Sequence, residues 1–155
     1  MIVESLDIYR KLNLTEKQQI FYDFMIENGE TFTKRNDIDL GKKRNLSRMI
    51  QQNECFKNSM LTSINTKFDY YEGYYMTENI PIHLEHAFNK DSARGEIYDI
   101  TAQKFDIPVS EWFGVKVPRE IFEIFLNSKY NGMMSPLQYY VAHYIIPQKL
   151  KDINT

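Results

Sequence analysis

Hydrophobic positions along this chain follow a helical rhythm towards both ends and an alternating rhythm in the middle. Ile20, Phe21, Phe24 and Met25 share one helical face. Thr15-Glu16-Lys17-Gln18 has capping-box spacing ahead of them, and Asn28-Gly29 supplies a stop, so a helix is expected over residues 16–28. Phe56, Met60, Leu61 and Ile64 repeat the helical spacing. Asn53 is the candidate N-cap there, which would put Cys55 in the first turn. Residues 68–76 are rich in strand-favouring aromatics, and Gly73 among them marks a bulge or a close backbone approach.

Residues 83–101 read as two short strands joined by a polar turn of Asp91, Ser92, Ala93, Arg94 and Gly95. Strand side chains alternate, so Leu84, His86 and Phe88 share a face, as do Ile97, Asp99 and Thr101. Another strand is expected over 111–117, carrying Trp112 and Phe113. Pro118 opens a helix with Ile121, Phe122, Phe125 and Leu126 on one face and Asn131-Gly132 as its stop. Ser135-Pro136-Leu137-Gln138 opens the last helix, expected to run to Ile146, with His143 an ordinary histidine at the core edge. The fold class implied is α+β in a single domain over residues 1–155. A helix carrying Cys55 packs on a small antiparallel sheet, with flanking helices at both ends.

Composition narrows the function. A formal charge of -2 argues against a general nucleic-acid binder. The basic stretch from Lys34 to Arg48 reads as a solvated surface loop leading into a helix. Its Gly41-Lys42-Lys43 lacks the glycine and the Ser/Thr of a phosphate-binding loop. A single cysteine makes no internal disulfide, and Met-Ile-Val-Glu-Ser-Leu-Asp lacks a basic segment followed by an apolar run. With no apolar stretch of membrane-spanning length, the expectation is a cytoplasmic protein without a membrane partner. Eleven Tyr and ten Phe suggest an aromatic-rich interior or groove.

The chemistry centres on Cys55, His86 and Asp99. If the two strand faces of the hairpin coincide, Asp99 can fix the tautomer of His86 and stabilise its charged form. A cysteine in a first helical turn meets unsatisfied amides and a helix dipole that favour a thiolate and can hold an oxyanion. Gln51 or Gln52 is a candidate side-chain donor to that oxyanion, and Glu72 and Trp112 are candidate substrate-binding residues. For Glu72 the competing reading is a charge on the solvent face of its strand. For Cys55 it is a buried cysteine packing as a small hydrophobe. His83 and His86 with Asp99 could ligate a metal, but the two histidines point to opposite strand faces, so no metal site is expected.

The pieces Cys55, His86-Ala87-Phe88 and Asp99-Ile100-Thr101 resemble the core of the transglutaminase-like branch of papain-like cysteine enzymes. There a helix-borne Cys precedes a strand with His-Ala-Trp and a strand ending in Asp-Pro-Thr. The resemblance spans residues 53–101. Phe88 stands where Trp is usual, and Ile100 where Pro is usual. Cys55-Phe56-Lys57-Asn58-Ser59 and Tyr71-Glu72-Gly73-Tyr74 are also similar to small phage-encoded proteins of this Cys-His-Asp type, and the many Ile, Asn and Lys suit a T-even-type phage. The resemblance implies a papain-like fold and a cofactor-free cysteine hydrolase or acyltransferase of protease, amidase, deamidase or transglutaminase type. Cys55 would attack a carbonyl of a protein or peptide, His86 would carry the proton, and Asp99 would orient His86. The substrate would be a host protein, in the host cytoplasm, if the chain is phage-encoded. The rival reading keeps the fold without catalysis, as a phage-encoded protein-binding module.

Overall fold

A computed structural model describes all residues, Met1–Thr155. The element order is α1 (Ile2–Arg10), α2 (Glu16–Asn28), β1 (Glu30–Phe32), α3 (Arg44–Met49), α4 (Cys55–Asn65), β2 (Asp69–Thr77), β3 (Ile80–Asp91), β4 (Glu96–Tyr98), α5 (Ile100–Lys104), β5 (Val109–Lys116), α6 (Arg119–Leu126), α7 (Pro136–Tyr140), a π-helical segment (Val141–Ile145) and α8 (Ile146–Ile153). The class is α+β, built on one five-stranded sheet in the order β1-β5-β2-β3-β4 whose neighbours all pair antiparallel.

The sheet curls on itself. An isolated parallel bridge joins Asn36, just past β1, to Tyr98 on β4, and the Asn36 N–H donates to the Ile97 carbonyl at 2.8 Å. Across the inside of the curl, Phe32 of β1 meets Phe88 of β3, with ring centroids 5.8 Å apart. Period-two alternation then gives each central strand two buried faces. Tyr71, Phe88, Ile97 and Trp112 fill the concave side. Tyr70, Tyr74, Met76, Ala87, Phe113 and Val115 face outward, where Ile2 and Leu6 of α1, Phe24 and Met25 of α2, Phe122 of α6 and Leu137 of α7 cover them. Each large side chain buried there contributes about 2–3 kcal/mol.

Gly73 of β2 sits opposite both His86 of β3 and Gly114 of β5. A Cβ on Gly73 would lie 2.2 Å from the Phe113 carbonyl oxygen, and one on Gly114 would lie 2.8 Å from the Phe88 ring. These two glycines therefore permit the tight strand approach that the sequence suggested at Gly73.

The expected helix over 16–28 is present with its full capping box, as is the Ser135 capping box. Several boundaries differ. The first strand of the hairpin is long, while β4 ends at Tyr98, because Asp99 turns the chain into α5. The last helix passes Pro147 and reaches Ile153, since Pro147 sits in the first turn of α8, where no amide is needed. The helix after Pro118 stops at Leu126, earlier than Asn131-Gly132. Helix α1 and strand β1 had no expectation; α1 buries only Ile2 and Leu6, and β1 is three residues long.

Candidate active site

Cys55 is the first residue of α4, and Glu54, rather than Asn53, is the N-cap. Asn53 takes φ 63, a left-handed turn that Asn tolerates better than most residues. No side chain caps this helix. Its first bond runs from the Asn58 N–H to the Glu54 carbonyl, so the amides of Cys55, Phe56 and Lys57 have no helical partner. The turn before the cysteine is clamped by buried Asn58. Its Oδ1 accepts from the Gln51 N–H at 3.0 Å, while its Nδ2 donates to the Gln51 carbonyl at 2.7 Å and to Thr101 Oγ1 at 3.0 Å. Asn89 of β3 donates to the Ser59 carbonyl and to Ser63 Oγ, fixing α4 alongside the strand.

His86 lies on β3 and is 2% exposed; Asp99 is wholly buried. His86 Nε2 is 2.7 Å from Asp99 Oδ2. Asp99 is not a strand residue opposite His86. It is the N-cap of α5, its Oδ1 accepting from the Ala102 N–H at 3.0 Å. The local motive is ordinary helix capping: a short acceptor side chain satisfies an amide of the first turn. Trp112 Nε1 donates to Asp99 Oδ2 at 2.8 Å, so that one oxygen serves both the indole and the imidazole. Tyr75 covers His86, with ring centroids 4.3 Å apart.

Burial alone would lower the His86 pKa, but the Asp99 carboxylate and its hydrogen bond outweigh it, and a hydrogen bond with the Cys55 side chain adds to them. The result is raised to about 10, so His86 is an imidazolium at neutral pH. Burial likewise opposes the charge on Asp99, yet His86, the Ala102 amide and the indole hold its carboxyl below the ordinary value. With Nε2 on Asp99, Nδ1 is the nitrogen left for Cys55. The thiol thus lies beside a buried cation, at the mouth of a helix with free amides.

Compared with known proteins, the chain matches no family model, no curated protein and no solved structure.

The structure brings Cys55, His86 and Asp99 together, with Trp112 bonded to Asp99, and places the remaining candidates around them in different ways. Gln51 and Gln52 are exposed in the turn before Cys55, and neither side chain makes a hydrogen bond. Trp112, expected against substrate, is buried with its N–H spent on Asp99; it positions the carboxylate instead. Glu72 is not on a solvent face, and it lines a groove that also touches Glu54, Phe56 and Gly73. It is buried on the outward face of β2, where it accepts from Tyr70 Oη at 2.9 Å, from the Leu137 N–H at 3.0 Å and from Ser135 Oγ. Burial raises its carboxyl to about 7 in spite of those donors. His143 is exposed against Tyr130 and Tyr139, its Nδ1 3.0 Å from the Tyr139 carbonyl. Asn58 and Asn89 were not singled out from sequence, although Asn58, with Thr62 one turn on, falls on the inward side of α4.

No cluster of three or more His, Cys, Asp or Glu side chains is placed to hold a metal ion. No helix is long and apolar enough to cross a membrane. A groove of about 630 Å³ opens beside the cysteine, with Glu54 and Phe56 on one wall and Gly73, Tyr74 and Glu85 on another.

Proposed function

We propose that this protein is a cysteine-dependent acyl-transfer enzyme acting on a protein or peptide, with Cys55 as nucleophile, His86 as acid and base, and Asp99 as the group that orients His86. The observation that carries the reading is the buried His86–Asp99 pair, 2.7 Å apart, against a cysteine at the start of a helix. An imidazolium beside a cysteine is the counter-ion a thiolate needs.

In this mechanism Cys55 Sγ bonds to the carbonyl carbon of an amide or ester, and the C=O electron pair moves onto oxygen. Free amides at the start of α4 receive that oxyanion. His86 Nδ1–H protonates the departing amine or alcohol as the C–N or C–O bond breaks, leaving a thioester on Cys55. Water or an amine then attacks the thioester, His86 takes its proton, and Cys55 is released. Water as acceptor makes the enzyme a protease, amidase or deamidase; an amine makes it a transglutaminase.

The order of the three residues, with a helix-borne Cys followed by a strand-borne His, supports placing the core in the transglutaminase-like branch of papain-like folds. Asp99 departs from that pattern by capping a helix. A phage-encoded protein acting in the host cytoplasm is the setting that best fits the sequence resemblance.

A generic activated ester tests the chemistry without knowledge of the substrate. Treated with p-nitrophenyl acetate, the wild type should release a burst of nitrophenolate and carry the acetyl group on Cys55 by mass spectrometry. Cys55→Ala and His86→Ala should fold and show no burst. An equal burst from His86→Ala, or no acetylation of Cys55 in the wild type, would show the assignment to be wrong.

A further inference from the structure

The groove beside Cys55 has a chemistry of its own. Met25, Phe56, Met60, Met133, Met134 and Leu137 line it. Four of the seven methionines of the chain are among its walls, which gives an apolar surface able to repack around different side chains. Its volume, about 630 Å³, is that of a built binding site. Met133 is 74% exposed and Ile64 56%, so large apolar side chains stand open to solvent along it.

Its rim is biased in charge. Glu54 and Glu85 are exposed and have no cationic partner, against the single cation Lys57. Glu54 immediately precedes Cys55, while Glu85 precedes His86 on β3 and points to the opposite face of that strand, into the groove. The groove is walled by the neighbours of Cys55 in α4 and by Gly73, the strand partner of His86, so a ligand bound here runs past the start of α4 and meets uncompensated negative charge at that end.

We propose that this groove selects the acyl donor: it binds a segment of a protein substrate in which large apolar side chains are accompanied by Lys or Arg near the reacting carbonyl. The proposal rests on the acyl-transfer reading and adds the substrate class to it. Apolar side chains supply affinity by leaving water, and the rim carboxylates supply discrimination between basic and acidic segments.

Fluorescence anisotropy with two labelled peptides tests it, one of alternating Leu and Lys and one of alternating Leu and Glu, using Cys55→Ala protein so that no acyl transfer intervenes. The basic peptide should bind at least about tenfold more tightly at low salt. The double variant Glu54→Lys, Glu85→Lys should erase or invert that preference, and Met60→Asp should weaken binding of both peptides. Glu54 and Glu85 are exposed, so the charge reversal remains informative if Met60→Asp fails to fold. Equal affinity for the two peptides, or a preference unmoved by the charge reversal, would overturn the proposal. So would a dimer in sedimentation that Met60→Asp dissolves, because the groove would then belong to a second copy. These arms read the groove alone, whereas the nitrophenyl acetate burst reads the triad, so the two failures are separable.

Discussion

Asp99 Oδ2 accepts two hydrogen bonds at once, and this single atom sets the charge and the direction of His86. Replacing Trp112 with Phe keeps most of the ring volume and removes one donor from a wholly buried carboxylate. The cost of leaving that carboxylate short of a partner is about 1–3 kcal/mol, which urea unfolding would measure. The burst on Cys55 should slow as well, because Asp99 then holds the imidazole in its orientation less firmly. A Trp112→Phe protein with unchanged stability and burst rate would mean the indole is mere filling. At this scale the residue types were readable in advance: a lone Cys at a helix start, a His on a strand face and an Asp thirteen residues later. The manner in which Asp99 is held was not. Alternation with Ile97 made it look like a strand residue, and the helix it caps is only five residues long.

Among the elements, the C-terminal helix carries the least expected connection. Its N-terminus is capped twice, by its own Ser135 and by Glu72 of β2 through the Leu137 amide. This ties the last helix to the strand that faces His86 across Gly73. The Glu72 carboxyl rises from 4.5 to about 7 in the folded chain because it is buried. Between those pH values the folded state binds more protons than the unfolded chain, so the Glu72 contribution is complete below pH 4.5 and is lost as pH rises through about 7. A thermal melt series should therefore show Glu72→Gln flattening the fall in stability over that window, since Gln keeps an acceptor for the Leu137 amide but does not titrate. The same fall in both proteins would contradict this role. The competing reading of Glu72, a charge on a solvent face, assumes a flat, half-solvated sheet. Both faces are buried here because the sheet curls around Tyr71, Phe88, Ile97 and Trp112 while helices cover its outside, and no local pattern in residues 68–76 reports a closure made through Asn36 and Tyr98.

For the whole molecule, the periodic segments were readable and the closure was not. Helix α2, the strand around Gly73 and the Ser135 cap follow from spacing and capping chemistry within a few residues of each other. The joining of β1 to β4 depends on partners far apart in sequence, and β1 alone is too short to announce itself. That closure places Trp112 of β5, His86 of β3 and Asp99 of the β4–α5 corner inside one curl, while α4, clamped by Asn58 and Asn89, delivers Cys55 to its rim. The central claim is that this arrangement makes Cys55 a nucleophile through a charged His86. A buried imidazolium beside Cys55 is a counter-ion for a thiolate, so wild-type reactivity should persist into mildly acidic solution. The most direct measurement is the rate of Cys55 alkylation by iodoacetamide against pH, for wild type and Asp99→Asn. The account predicts fast alkylation of the folded wild type at pH 6–7, where a free thiol is slow, as an expectation of about tenfold or more over Asp99→Asn. A folded wild-type thiol that is inert, or two profiles that superimpose, would contradict it.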